Sequence, residues 1–205
     1  MLKFFFGPHS CALASHIALE ESGLEYEAVK LDLVAGDQKK PEYLKINPKA
    51  RVPALVTDRG VLTENPAILA YIAQTAAKAK LAPLDDAYAF GKIQSFNSYL
   101  CATVHVAHAH GRRGYRWADE QSSYDDMKRK VPETMAACFE LIETEMFEGP
   151  WVAGADFSIA DPYLFTMESW MGSDKVDPKR FPRLLDHRQR MEQRPAVQRV
   201  LPLHA

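Results

Sequence analysis

The chain has 205 residues, 47% of them hydrophobic and 25% charged, enough for one large domain or two modest ones with buried cores. Its formal net charge of −2 gives no electrostatic basis for a nucleic-acid or anionic-membrane partner. No apolar run reaches the roughly 18 residues that a membrane helix needs.

Lys3–Phe6 is short and aromatic and reads as a buried strand. Pro8 and His9 follow so soon that the apolar start does not fit a secretory signal. Cys11 to Ser22 carries Leu13, Ala14, Ile17 and Ala18 at helical spacing, and Gly23 is the expected stop. Val29, Leu31 and Leu33 alternate with Lys30 and Asp32, the pattern of a half-buried strand. Val52–Val56 and Val61–Leu62 read as two strands joined at Asp58-Arg59-Gly60. Asn65-Pro66 opens a helix, with Asn65 at the N-cap, Pro66 in the first turn and Ile68, Leu69 and Ile72 as the apolar stripe.

Residues 78–86, rich in Ala, Lys, Pro and Asp, form a polar connector, and the signals beyond it are helical. Val131, Met135, Phe139, Ile142 and Met146 recur at spacings of three and four, and Gly149-Pro150 ends that segment. Ser158 to Asp161 reads as a capping box: the Ser158 side chain accepts from the Asp161 amide, the Asp161 side chain returns to Ser158, and Phe157 staples onto Pro162 or Tyr163. A last helix covers Arg183 to Gln193 and stops before Pro195. The pattern predicts an α/β domain over 1–77, a linker over 78–86 and an all-helical domain over 87–205.

Four features carry chemistry. Cys11 stands in a tight turn at a helix start, where unpaired N–H groups and the helix dipole favour a thiolate, and Ser10 beside it offers a donor. The alternative is a cysteine that only fills the turn. With Cys101 and Cys138 it makes three widely spaced thiols, which suits a reducing cytoplasm and no disulfide framework. Glu64-Asn65 at the next helix start can hold an amino-acid head group, ammonium on Glu64 and carboxylate on the helix end, or can be plain capping. Arg51-Val52-Pro53 would expose the Val52 backbone to an extended peptide if the Val52-Pro53 bond were cis. His105 and His108 share a helical face, but no third ligand follows, so histidines lining a cleft are the plainer reading and no metal is expected. The basic, aromatic segment Gly111 to Trp117 either lines a pocket or is a solvated connector.

In order and spacing these segments resemble the cytosolic glutathione transferases along essentially the whole chain, most of all the bacterial beta-class members. The resemblance rests on Phe4–Glu20, Asn47–Leu55, Leu62–Ile72, Trp151–Asp161 and Arg194–Val197. It implies a thioredoxin-like N-terminal domain, glutathione as co-substrate and a small hydrophobic electrophile in the helical domain. It places Cys11 and His105 at the sulfur, the Val52 backbone beside a cis Pro53 on the cysteinyl part, and Glu64 and Asn65 on the γ-glutamyl group. Gln38, with Lys39 or Arg51, falls near the glycine carboxylate. A cytoplasmic homodimer is part of the same expectation. This sequence has Asn65 where many relatives have Ser, and Ala35 where beta-class members have Lys. It also has no Tyr among Phe4, Phe5 and Phe6, so activation falls to Ser10 or Cys11. Thiolate transfer to an electrophile is the leading activity; glutathione-dependent disulfide reduction through Cys11 and non-enzymatic ligand binding are the rivals.

Overall fold

The computed structural model describes all 205 residues. Its sheet grows around the aromatic run, strand β1 (Leu2–Phe6), which pairs in parallel with β2 (Tyr26–Lys30). On its other side β1 runs antiparallel to β3 (Ala54–Thr57), which pairs with β4 (Gly60–Thr63), so the order is β2-β1-β3-β4. An inner strand covered on both faces can be apolar without alternation. Phe4 and Phe6 accordingly enter the main core, while Phe5 joins Leu31, Tyr43 and Ala54 on the opposite face.

Helix α1 (Ala12–Ser22) follows β1 and ends at Gly23, whose φ of 69° is the left-handed stop that its lack of a Cβ allows. The expected strand at Val29 to Leu33 lies earlier in the chain. Leu31 makes the last rung, its N–H donating to Phe6 O at 2.8 Å. The Asp32 carboxylate then accepts from the Val34 and Ala35 amides at 2.9 Å each, turning the backbone out of the ladder. Leu33 folds back onto Gly7, where a Cβ would meet its side chain at 2.5 Å. A short helix α2 (Pro41–Leu44) leads to β3, which starts after Pro53, a residue with no N–H for the ladder. Helix α3 (Asn65–Thr75) closes the sheet domain.

Asp86 caps helix α4 (Ala87–Tyr99), accepting from the Tyr88 and Ala89 amides at 2.9 and 3.0 Å. A π-helical turn at Leu100–Val104 passes directly into α5 (His105–Ala109). Helix α6 (Gln121–Leu141) buries the stripe Val131, Met135 and Phe139, and a second π-turn, Ile142–Met146, completes it. All nine residues of α7 (Ala160–Glu168) are buried. Helix α8 (Pro182–Glu192) ends as expected near Pro195, but Pro195 also opens a further helix, α9 (Pro195–Val200), because proline suits a first helical turn.

The capping box forms with a different donor set. Asp161 accepts from the Ser158 amide at 2.6 Å as predicted, whereas Ser158 Oγ accepts from Ala160, not from Asp161. Phe157 packs edge-on against Trp151, with Arg194 over its ring, and also lies against the main core, which contains Tyr163.

One cluster of 34 buried residues runs from Phe4 and Leu69 through Tyr163 to Phe181, so sheet and helices share a single core. The C-terminal turn Leu201–His204 returns to β1, where His204 O accepts from the His9 amide. The His204 ring lies 2.9 Å from His16. Burial first, and their mutual proximity for His204, push the two imidazoles down to about 4 and about 3. Both are neutral at pH 7, and one ring proton bridges them.

Candidate active site

A cavity of about 580 Å³ opens between the β1–α1 turn and the α5 end of the helical part. Its sheet-side wall carries Ser10, Cys11, Gln38, Lys39, Arg51, Val52, Pro53, Glu64 and Asn65; the helical wall carries His105, His108, Arg113, Arg116, Tyr163 and Trp170. Every site residue expected from the sequence therefore lines one cavity. Strain gathers there too. Five non-glycine residues have positive φ, and three of them, His9, Ala50 and Glu64, line it. Such backbones cost about 1–3 kcal/mol each and persist where structure demands them.

The Val52-Pro53 bond is cis. The Cys11 thiol donates to Val52 O at 3.6 Å, which ties the α1 start to the edge of β3. Burial pushes this thiol up to about 12; the Arg113 guanidinium is the main influence in the other direction. The expectation of a thiolate favoured by the helix end is thus reversed in the free protein, where desolvation outweighs the dipole. Ser10 is no free donor either: its buried hydroxyl donates to Gly7 O at 2.6 Å and accepts from the Ala12 amide at 3.3 Å. It is the cap of the turn, and its proton is committed.

Glu64, at φ 71°, precedes α3 and holds its carboxylate at the rim, 2.6 Å from Lys49 Nζ. Asn65 is the first residue of α3 rather than its cap. Its side chain is buried and engaged: Nδ2 donates to Cys11 O at 2.8 Å and Oδ1 accepts from Ser15 Oγ at 2.5 Å. It bolts α1 to α3, leaving the main-chain N–H groups of the helix start for a ligand. Asn65→Ala orphans two buried groups and is expected to cost about 1–3 kcal/mol in chemical denaturation. A loss below about 0.5 kcal/mol removes the bolt interpretation.

Gln38 donates to Leu33 O at 3.4 Å, while its Oε1 is buried and unpartnered. His105 lies against Trp170, with ring centres 5.1 Å apart. Burial, then the nearby His108, Arg113, Arg116 and Arg51, push its imidazole down to about 4. At pH 7 it is neutral and able to accept a proton. His108 does not share a ligand with it: its ring stacks on Trp170 at 4.1 Å and its Nδ1 is 2.8 Å from Asp174. Arg113, Lys49, Cys101, Tyr163 and Trp170 were not singled out from sequence. Only Arg113 left a local signal, inside the basic segment 111–117.

A four-stranded sheet domain is fused to an all-helical part, and a cysteine and a strained acidic residue face the cavity at their junction. Residues 1–74 match the glutathione S-transferase N-terminal domain and residues 113–199 the C-terminal domain. Glutathione S-transferase GstA of Escherichia coli O157:H7 is 31% identical, over 98% of this chain and 97% of that one. A Sulfitobacter glutathione transferase homologue, solved with bound glutathione, is 46% identical at a TM-score of 0.95, covering 99% of this chain and 98% of its own. The beta-class enzyme of Sphingomonas chungbukensis is 34% identical at a TM-score of 0.86, covering 99% and 98%. The chain belongs to the glutathione transferase family.

Proposed function

We propose that this chain conjugates glutathione to a small electrophile, with Cys11 acting as a neutral hydrogen-bond donor to the glutathione sulfur. The observation that carries this reading is the Cys11 thiol, protonated at neutral pH and donating to the Val52 carbonyl, in the cavity that Arg113 also lines. The γ-glutamyl ammonium meets Glu64, displacing or sharing Lys49, and its carboxylate takes the N–H groups at the start of α3. The Val52 backbone pairs with the cysteinyl unit. Lys39 and Arg51 take the glycine carboxylate, with Gln38 Nε2 as a further donor and the unpartnered Gln38 Oε1 free to accept from a peptide N–H of the ligand. His105, neutral and lining the cavity, offers a hydrogen bond there, while the thiol proton leaves to solvent.

A free glutathione thiol titrates near 8.5, and each unit of depression is worth about 1.4 kcal/mol. The test is the ultraviolet absorbance of the thiolate in the protein–glutathione complex against pH, together with turnover of an activated aryl chloride. The bound thiol is expected at least one unit below its free value. A bound thiol titrating at its free value, with no turnover, sinks the reading and leaves a ligand binder.

A cytoplasmic homodimer working in detoxification belongs to the same proposal. Exposed apolar side chains on the edge strand and the first turn of α4, Val61 and Tyr88, are consistent with a partner surface. Sedimentation of the full chain checks it. No helix is long and apolar enough to cross a membrane.

A further inference from the structure

We propose that the helical wall of the cavity selects electrophiles bearing an anionic group, the simplest being a carboxylate on an aromatic ring, and that Arg113 and Arg116 receive it. The inference rests on the conjugation reading above and names the substrate class of that site.

The first ground is a charge imbalance. Four cations, Lys39, Arg51, Arg113 and Arg116, line the cavity against one carboxylate, Glu64, which Lys49 already partners. Glutathione's glycine carboxylate accounts for the sheet-side pair, Lys39 and Arg51. The two arginines of the helical wall stay in excess.

The second ground is Arg113 itself. Its side chain is half-buried, and desolvation weighs on its guanidinium. No carboxylate of the protein pairs with it, and only its main chain is bonded, to Ala109 O at 2.8 Å. Two other partly shielded arginines of this chain are saturated. Arg183 donates to the Glu143 and Phe147 carbonyls, and Arg194 makes two bonds to Glu21. A guanidinium drawn out of water with no partner is costly unless a ligand supplies one. Arg113 lines the same cavity as Cys11 and is the charge that bears most on its thiol.

The third ground is aromatic. Tyr115 and Trp117 flank Arg116, are 63% and 45% exposed, and both line the cavity. Trp117 is steadied by His110 at 4.4 Å between ring centres. An aryl ring packed against them directs its carboxylate at guanidinia, which match carboxylate geometry two bonds at a time.

The matched probes are 4-chloro-3-nitrobenzoate and 4-chloro-3-nitrobenzamide. In both, the sulfur forms the C–S bond, chloride leaves with the bonding pair, and the thiol proton goes to solvent. The carboxylate activates the ring less than the amide, so chemistry alone favours the amide. The wild-type kcat/KM is expected to favour the benzoate by about tenfold, and R113M and R116M to bring the ratio to about one. A loss of packing would lower both substrates and leave the ratio unchanged; an unchanged ratio in both variants, or equal wild-type values, overturns the inference.

Calorimetric binding of the two finished glutathione conjugates frees the test from turnover. The carboxylated conjugate is expected to bind about tenfold tighter. If neither chloride reacts while that preference holds, the conjugation reading fails and the anion site stands; equal binding overturns the anion site. If plain glutathione loses as much affinity as the carboxylated conjugate in both variants, the guanidinia serve the glycine carboxylate and the inference is overturned.

Discussion

His187→Leu is expected to destabilise the protein by about 3–5 kcal/mol, because it strips the cation from a buried carboxylate pair. His187, on α8, is wholly buried; its Nδ1 lies 3.0 Å from Glu168 and its Nε2 3.3 Å from Asp161, both on α7 and equally buried. Burial alone would push the imidazole down. The Glu168 charge first, then the nearby Asp161 carboxylate and the hydrogen bond to Glu168, outweigh burial and hold it up at about 9. Burial likewise raises the Glu168 carboxyl above its ordinary value, with His187 opposing. A raised imidazole contributes stability that is complete below its unfolded value of 6.5 and is lost as pH climbs through about 9. Wild-type stability should therefore fall across that window, and the window should vanish in the variant. The lone Glu168 then takes up a proton, so the variant gains stability towards acid pH. Urea denaturation of both proteins between acid and alkaline pH reads all of this. Glu168→Leu with His187→Leu should recover part of the loss, since Glu168 no longer stands uncompensated while Asp161 keeps its bonds from the Val152 and Ser158 amides. A single-variant loss under about 1 kcal/mol means that the pair is not charged.

That triad was invisible in the sequence, and the reason is general. Glu168 and His187 lie on separate helices, 19 positions apart, and only the packing of α8 on α7 takes both out of water. Local signals survived better. The aromatic β1, the stop at Gly23 and Pro66 in the first turn of α3 read correctly because each rests on backbone chemistry within a few residues. The strand at Val29 to Leu33 was misplaced because the true β2 is an edge strand with weak alternation, and Asp32 bends the chain beyond it. At the site, identities were legible and states were not. Ser10 looked like a donor and is spent on Gly7; Asn65 looked like a cap and is a bolt; Cys11 looked like a thiolate and is held protonated. Each reversal comes from a partner distant in sequence or from desolvation, neither of which a motif encodes. Arg113 shows the converse, a plain basic residue whose meaning depends on the wall it joins.

Cys11→Ala is expected to abolish thiol transfer through a protein–glutathione mixed disulfide while lowering conjugation by about tenfold near neutral pH, a loss that shrinks as pH rises. With its thiol held up at about 12, Cys11 in the free protein is almost wholly protonated near neutral pH. That is a poor nucleophile and a good donor. Once glutathione occupies the cavity, the same S–H can turn from Val52 O to the thiolate, and one lost donor is worth about one unit in the thiolate's titration. Raising the pH restores the thiolate without the donor, so the rate–pH profile of Cys11→Ala should shift to higher pH and meet that of the wild type on the alkaline side. Cys11→Ser separates the two chemistries further. A hydroxyl still donates, so conjugation should survive near its wild-type rate, whereas no mixed disulfide can form. If Cys11→Ser instead loses conjugation as fully as thiol transfer, the cysteine is a nucleophile, and the cavity must hold Arg113 close enough to overcome the burial that keeps the free thiol protonated.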